Sequence, residues 1–202
     1  MESRDNGPWD ISEVDPHSTV ERLSLGSVLV TPTEGIDVQV QADQESGKVS
    51  QLNFTRPDAM VQIQPYAAPR SGGLWADVRG QIASSINGSG GLVEVVDGPF
   101  GPELRAQVTP SDGSAGLQPA RFCGVEGPRW FLRAVFLGAA ARPGEAADAL
   151  EAMVRSLIIV RGNEAMPVGA PIPLHLPQQP AAASSDELPS PFERGPEITE
   201  TR

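Results

Sequence analysis

The stretch Arg129-Trp-Phe-Leu-Arg-Ala-Val-Phe-Leu137 decides the fold that this sequence predicts. Successive side chains of a β-strand point to opposite faces of a sheet, so alternate residues share a face. One face of this stretch carries Trp130, Leu132, Ala134 and Phe136, and the other is also apolar apart from Arg133. A strand that is apolar on both faces is covered on both sides. We therefore predict that residues 129–137 form a central strand of a sheet.

The segments around this strand predict its neighbours. Residues 121–125 precede it across Glu126-Gly-Pro128, and residues 92–96 and 103–108 flank the turn Asp97-Gly-Pro-Phe-Gly-Pro102, so two hairpins are expected. Alternating apolar residues predict further strands at 23–29, 36–40, 49–54 and 59–66, with turn chemistry at 43–48 and a closing strand at 157–160. The connections between these early strands are too short for crossover helices, which predicts antiparallel pairing.

Two segments have the periodicity of helices. Leu74, Val78, Ile82 and Ile86 stand four apart and form one apolar stripe, which ends at a glycine-rich stretch, residues 87–91. A second helix is expected at about 144–156, with Ala146, Leu150, Met153 and Val154 as its stripe. The predicted fold is α+β: a single domain, mainly an antiparallel sheet of about seven to nine strands, packed against two principal helices.

Charge and composition predict the organisation of the 202 residues. The net charge of −11 divides into −5 before Arg22 (six acids, one arginine), −2 across the middle (14 acids, 12 bases) and −4 after Gly162 (six acids, two arginines). We predict an acidic N-terminal tail at 1–21, the α+β domain at 22–162, an extended proline-rich segment at 163–177 and a disordered acidic tail at 178–202. Acidic ends disfavour direct nucleic-acid binding.

The residues that most enzymes need are missing from the predicted domain. The two histidines, His17 and His175, lie outside it, which argues against Ser-His or Cys-His catalysis and, with one cysteine, against a zinc site. No phosphate-loop or dinucleotide fingerprint occurs, so we expect no cofactor, no metal and no enzyme activity. The single Cys123, the absence of a long apolar run and the polar first residues predict a cytoplasmic protein without membrane contact.

A first candidate site precedes the first helix, at Ala68-Pro-Arg-Ser-Gly-Gly-Leu-Trp75. Ser71 could cap that helix, and the amides of Gly72 and Gly73 beside Arg70 could bind a phosphate or carboxylate. The alternative is a tight turn in which Arg70 pairs with a local acid and Trp75 belongs to the core.

Two further clusters carry aromatic and arginine side chains. Phe100 lies in a turn rich in proline and glycine, where it could be an exposed anchor for a partner or fold back onto the body. Arg129, Trp130 and Arg133 could together hold an anionic or aromatic group. The plainer interpretation makes Trp130 a core residue, gives both arginines acidic partners and leaves Cys123 as a small buried hydrophobe.

Several of these motifs resemble a known family. APRSGGLWADVRGQIA, GPFGPELRAQV, RFCGVEGPRWFLRAVF and LIIVRG occur in the order found in the actinobacterial domain-of-unknown-function family number 3710. The resemblance covers roughly residues 7–177 and implies a small, soluble, intracellular protein, with no activity, cofactor or catalytic residue to carry over. The order of elements also resembles PsbP-like domains, in which an antiparallel sheet packs against helices.

Three functional hypotheses follow from these residues. The first is a non-enzymatic binding or adaptor domain for a protein partner, with Arg70, Trp75, Phe100, Arg129 and Trp130 on one contact surface. The second is a small-ligand-binding protein or enzyme that takes an anionic metabolite into a pocket lined by Arg70, the Gly72 and Gly73 amides and Arg133. The third is a scaffold whose acidic tails engage a basic partner or mimic nucleic acid.

Overall fold

The structure, a computed structural model, describes residues 6–42, 49–110 and 116–176, without the side chain of Ser50. The turn predicted at 43–48 and the tail predicted at 178–202 lie outside these residues. The described strands, in chain order, are β1 (Trp9–Asp10), β2 (Leu23–Ser24), β3 (Val28–Val30), β4 (Asp37–Ala42), β5 (Val49–Arg56), β6 (Ala59–Ala67), β7 (Leu92–Gly98), β8 (Gly101–Val108), β9 (Gln118–Gly127), β10 (Trp130–Gly138) and β11 (Ile158–Ile159). The helices are α1 (Leu74–Gly88) and α2 (Glu145–Ser156), with short 3-10 turns at Ile11–Glu13 and Ala139–Ala141.

The larger sheet has seven antiparallel strands in the order β4-β5-β6-β10-β9-β8-β7. β10 is therefore the central strand, as its two apolar faces predict. It pairs with β6 from Trp130 opposite Ala67 to Gly138 opposite Ala59, and with β9 on its other side. Both predicted hairpins, β7–β8 and β9–β10, are present. The predicted α+β class, a mainly antiparallel sheet with two principal helices, is confirmed.

A second, smaller sheet has the order β1-β11-β3-β2. The single strand predicted at 23–29 is wrong, because the chain turns at Leu25–Ser27 and forms the short strands β2 and β3 of this sheet. The predicted closing strand is β11, which lies between β1 and β3 and pairs parallel with β1. Residues 9–10 of the segment that we interpreted as a tail thus contribute a strand.

The core lies on both faces of the larger sheet, in two unequal parts. The main cluster includes Trp130, Leu132, Ala134 and Phe136 of β10, and it packs against α2 and the smaller sheet. The other face carries a small cluster of Ala68, Trp75 and Phe131 beneath α1. Because α1 contacts β7, β8 and β9, it covers only one half of that face. The sheet is thus the middle layer of a three-layer domain.

The proline-rich segment after β11 lies on this body for the part that the structure describes. Ala67 N donates to Ala170 O at 2.8 Å, and Ile172 N donates to Pro65 O at 3.0 Å, so the segment continues the sheet at the end of β6. Ile172 and Leu174 are buried in the main core. Two apolar side chains between prolines therefore hold an otherwise irregular segment in place.

Candidate functional site

The N-terminus of α1, predicted to be an anion site, already holds a carboxylate of the chain itself. Glu126, near the end of β9, accepts hydrogen bonds from Gly73 N at 2.8 Å and Trp75 N at 2.7 Å. The prediction that Ser71 caps α1 is wrong, because Gly73 occupies the N-cap position with φ 91° and Ser71 is exposed. The Gly72 amide donates to Pro69 O. These amides are therefore satisfied within the protein.

Trp75 is a core residue beneath α1. Its ring stacks on Phe131 with centroids 5.8 Å apart, and Nε1 donates to Pro102 O at 2.7 Å. A Cβ at position 124 would clash with the Trp75 and Phe131 rings, so glycine at that position of β9 lets the two rings meet. Trp75 therefore attaches α1 to the sheet and cannot form an exposed contact surface.

Phe100 folds back onto the body. Its ring stacks on Phe136 with centroids 6.3 Å apart, and the Arg155 guanidinium of α2 lies 4.7 Å from the Phe100 ring centroid. Arg155 Nη2 also donates to Pro99 O at 2.9 Å. Helix α2 thus fixes the β7–β8 turn through both the ring and the backbone.

Trp130 and Arg133 also have partners within the protein. Trp130 is fully buried, and its Nε1 donates to Asp10 Oδ2 of β1 at 2.7 Å. Arg133 Nη2 donates to Gln64 Oε1 at 3.0 Å, and its guanidinium lies 5.6 Å from the Tyr66 ring centroid. Arg133 thus belongs to the half of the sheet face that α1 leaves open, away from the main core that contains Trp130.

The structure does not bring the nine predicted residues onto one surface, because two are core tryptophans and Phe100 and Arg133 lie on opposite sides of the sheet. It does bring Arg129 to a residue that we did not predict, Arg161. Arg161 Nε donates to Arg129 O at 3.2 Å, and Arg129 Nη2 donates to Gly162 O at 3.0 Å. The Arg129 carbonyl also accepts from Ala68 N, two residues before the exposed Arg70.

A buried charged network that the sequence did not predict joins two strands to α2. Arg121 of β9 contacts Glu151 of α2 (Nη2 to Oε1, 2.6 Å) and Glu103 of β8 (Nη1 to Oε2, 3.6 Å). Glu103 is fully buried, and Arg105 Nε lies 3.5 Å from its other oxygen. A Cβ at Gly98 would clash with the Glu103 carboxyl group. The only available signal is that Glu103 and Arg121 lie in predicted strands, where the register is needed to show that they meet.

Cys123 lies against this network. Its Sγ donates to Glu103 Oε2 at 3.2 Å, and burial raises the pKa of the Cys123 thiol well above its usual value. The Glu103 charge raises that pKa further, while Arg121 lowers it. Burial and the acidic neighbour thus keep the thiol protonated.

We expect the Cys123 thiol to react with a disulfide reagent about a thousandfold more slowly in the native protein than in urea, because the thiolate is the reactive form and reaching it requires unfolding. Since the folded-state pKa is raised, stability should also fall as the pH rises above about 8.5, the pKa of an unfolded cysteine. Reagent kinetics and urea titrations at pH 7 and pH 9.5 measure these effects. Fast native labelling at pH 7 would contradict the expectation.

One edge of the larger sheet is apolar and exposed. β7 is an outer strand, and its Leu92 and Val95 are 65% and 60% exposed. At the opposite edge, the exposed side chains of β4 are mostly polar, namely Asp37, Gln39 and Gln41, and the pairing with β5 becomes irregular at Gln41/Ala42. Polar side chains and irregular pairing protect sheet edges from further strands. In β7, only the acidic residues Glu94 and Asp97 could protect the edge in this way.

Two kinds of site are absent from the described residues. No group of three or more His, Cys, Asp and Glu side chains in ranges 6–42, 49–110 and 116–176 could hold a metal ion. No helix in these ranges has the length and apolar character needed to cross a membrane.

Comparison with known proteins gives one match. The family described as protein of unknown function (DUF3710) matches residues 7–183, and the chain therefore belongs to that family, as its motifs predict. No curated protein matches the chain, and no solved structure matches it.

Proposed function

We propose that this member of the DUF3710 family is a non-enzymatic binding domain that pairs an extended segment of a partner protein with the free edge of β7. The observation that carries the proposal is an outer strand with two large apolar side chains exposed, Leu92 and Val95. Strand addition at a sheet edge is a recurring mode of peptide recognition, in which backbone hydrogen bonds supply affinity and alternate side chains supply specificity. The contact surface is therefore placed at β7 instead of at the arginine and aromatic residues named from the sequence.

Two prolines indicate which backbone groups of β7 are free. In an antiparallel pair, opposed residues alternate between those that exchange two hydrogen bonds and those that exchange none. Asp97 lies opposite Pro102, which has no N–H, so this pair exchanges none, and neither does Val95 with Leu104. On the other side of β8, Pro119 of β9 lies opposite Gln107. Because Pro119 has no N–H, Gln107 directs its backbone groups toward β7, which agrees with the same alternation. The N–H and C=O groups of Val93, Val95 and Asp97 therefore point away from the sheet.

Charge favours a basic partner segment. Glu94 and Asp97 of β7 are exposed, and neither forms an ion pair within the described ranges. A second copy of the chain would bring another net charge of −11 to the same edge, which disfavours self-pairing. A segment that alternates apolar residues with lysine or arginine would satisfy the backbone, cover Val95 on one face of the sheet and neutralise Glu94 on the other.

Val95→Pro tests the proposal without disturbing the β7–β8 ladder, because the N–H that it removes points outward. The probe is a short fluorescent peptide of alternating lysine and valine, with a glutamate–valine peptide as its charge control. We expect the lysine peptide to bind the wild type and Val95→Thr, which keeps the N–H, and to bind Val95→Pro about tenfold more weakly. Fluorescence anisotropy gives the affinities, and circular dichroism checks that each variant is folded.

Three results would contradict the proposal. The first is no binding of the lysine peptide to the wild type, and the second is equal binding to Val95→Pro. The third is a bound peptide that leaves the amide hydrogen exchange of Val93 and Val95 unchanged, since strand pairing must protect the outward N–H groups.

A further inference from the structure

Two arginines are joined by hydrogen bonds from side chain to backbone where β10 begins and the chain leaves β11. Arg161 Nε donates to the carbonyl of Arg129 at 3.2 Å, and Arg129 Nη2 donates to the carbonyl of Gly162 at 3.0 Å. Two positive charges in this small region repel each other, and an opposite charge nearby would relieve that repulsion. Arg70, exposed just after the Ala68 that also bonds the Arg129 carbonyl, adds a third guanidinium to this end of the sheet.

These arginines have no acidic partner in the part of the chain that the structure describes. The ion pairs there involve Arg56, Arg105 and Arg121, and none involves Arg70, Arg129 or Arg161. Arg161 is only 9% exposed, and its Nη1 is enclosed without a hydrogen-bond partner. The buried Arg121, by contrast, contacts both Glu103 and Glu151. A buried guanidinium without an opposite charge destabilises the folded protein, so a negative charge bound beside Arg161 would be favourable.

The backbone of Arg129 indicates that its side chain is needed. Arg129 is the second residue of the two-residue turn between Gly127 and Trp130, with φ 62°. It is the one non-glycine residue with positive φ in the described ranges. Glycine adopts this conformation without strain, whereas residues with a Cβ atom are strained in it. Backbone strain that persists in a structure points to a role for the strained residue.

We infer that Arg129 and Arg161 form a binding site for a small phosphate-bearing molecule, with Arg70 at its rim. The Arg129 bond to the Gly162 carbonyl is exposed, so an anion can replace that neutral acceptor. A phosphate on Arg129 also places negative charge beside the enclosed Arg161 guanidinium, where the lower dielectric strengthens attraction. Two adjacent guanidinium groups match the charge of a phosphate dianion better than that of a single carboxylate. This site is independent of the β7 edge.

The test uses the full chain and inorganic phosphate, with chloride at equal ionic strength as the reference. Ten millimolar phosphate, about ten times an expected dissociation constant near 1 mM, should raise the melting temperature of the wild type by about 3–6 °C. Arg142→Gln, which removes an exposed arginine in another part of the structure, should keep this response. Arg129→Gly should lose it, with at least tenfold weaker binding by phosphorus NMR titration.

The same variants separate a binding role from a structural one. Arg129→Gly relieves the backbone and should melt slightly higher than the wild type without phosphate. Arg161→Met removes an uncompensated buried charge and should melt no lower than the wild type, while losing the phosphate response. A wild type indifferent to phosphate would overturn the inference, as would equal loss of response in Arg142→Gln. So would a large fall in the melting temperature of Arg161→Met, which would make Arg161 a structural residue.

Discussion

Arg121→Met is expected to lower the free energy of unfolding by about 3–5 kcal/mol. Arg121 lies between two carboxylates, at 2.6 Å from Glu151 Oε1 and 3.6 Å from Glu103 Oε2, and its guanidinium is 4.3 Å from the centre of the Phe136 ring. Methionine would fill much of the same space. It would leave Glu103 fully buried, with Arg105 as the one remaining cation that contacts it among the described residues.

Urea unfolding followed by circular dichroism measures this loss, since guanidinium salts would screen the charges under study. Arg105→Met is the matched control, because Arg105 is also an arginine beside Glu103 but its side chain is 40% exposed. Its loss should cost about 1 kcal/mol or less. Adding Glu103→Gln to Arg121→Met should restore part of the stability, because the uncompensated charge is then removed. If Arg121→Met and Arg105→Met lower the free energy of unfolding by the same amount, the buried network does not stabilise the protein as its geometry indicates.

This network could not be predicted from the sequence, although its members lie in elements that were predicted. Glu103 and Arg121 come from the strands β8 and β9, and Glu151 comes from α2. Periodicity assigns each residue to a face of its own strand or helix. Their meeting depends on the β8–β9 register and on how α2 sits against the sheet, and both are set by tertiary packing.

The larger sheet was predictable because its strands are long and strongly patterned. β10 is apolar on both faces and lies in the centre, and the turns Asp97–Pro102 and Glu126–Pro128 give the hairpins β7–β8 and β9–β10. The smaller sheet was predictable only in β11, which lies within the closing strand predicted at 157–160, whereas β1 and β2 have two residues each. Two residues are too few for any periodicity, so only contacts with the rest of the fold define these strands.

Whether a predicted site can bind a ligand depends on which groups of the protein already contact it. The motif before α1 has the composition of an anion site, but Glu126, some fifty residues later in the chain, fills it. Trp75, Trp130 and Phe100 pack against the core, as large aromatic side chains usually do. Arg129 remains part of the proposed phosphate site because its neighbour, Arg161, is another cation. The sequence indicates which groups could bind a ligand, and packing determines which of them have no partner within the protein.

Trp130→Ala is expected to lower the free energy of unfolding by about 3–5 kcal/mol, because a fully buried indole would leave a large cavity at the start of the central strand. Trp130→Phe should cost less, about 1–3 kcal/mol. Phenylalanine keeps most of the apolar volume but removes the Nε1 donor, 2.7 Å from the buried Asp10 Oδ2. That hydrogen bond joins β10 to β1, so the smaller sheet should loosen first.

The matched control is Trp9→Ala, since Trp9 is the neighbour of Asp10 in β1 but is 37% exposed. It should cost about 1 kcal/mol or less, because an exposed side chain leaves little cavity. Urea titrations give the three free energies, and amide exchange at Ile158 and Ile159 reports on β11, the strand paired with β1. Trp130→Phe should speed exchange at these two amides more than Trp9→Ala does. Equal exchange in the two variants would show that the indole–carboxylate hydrogen bond does not attach the smaller sheet to the larger one.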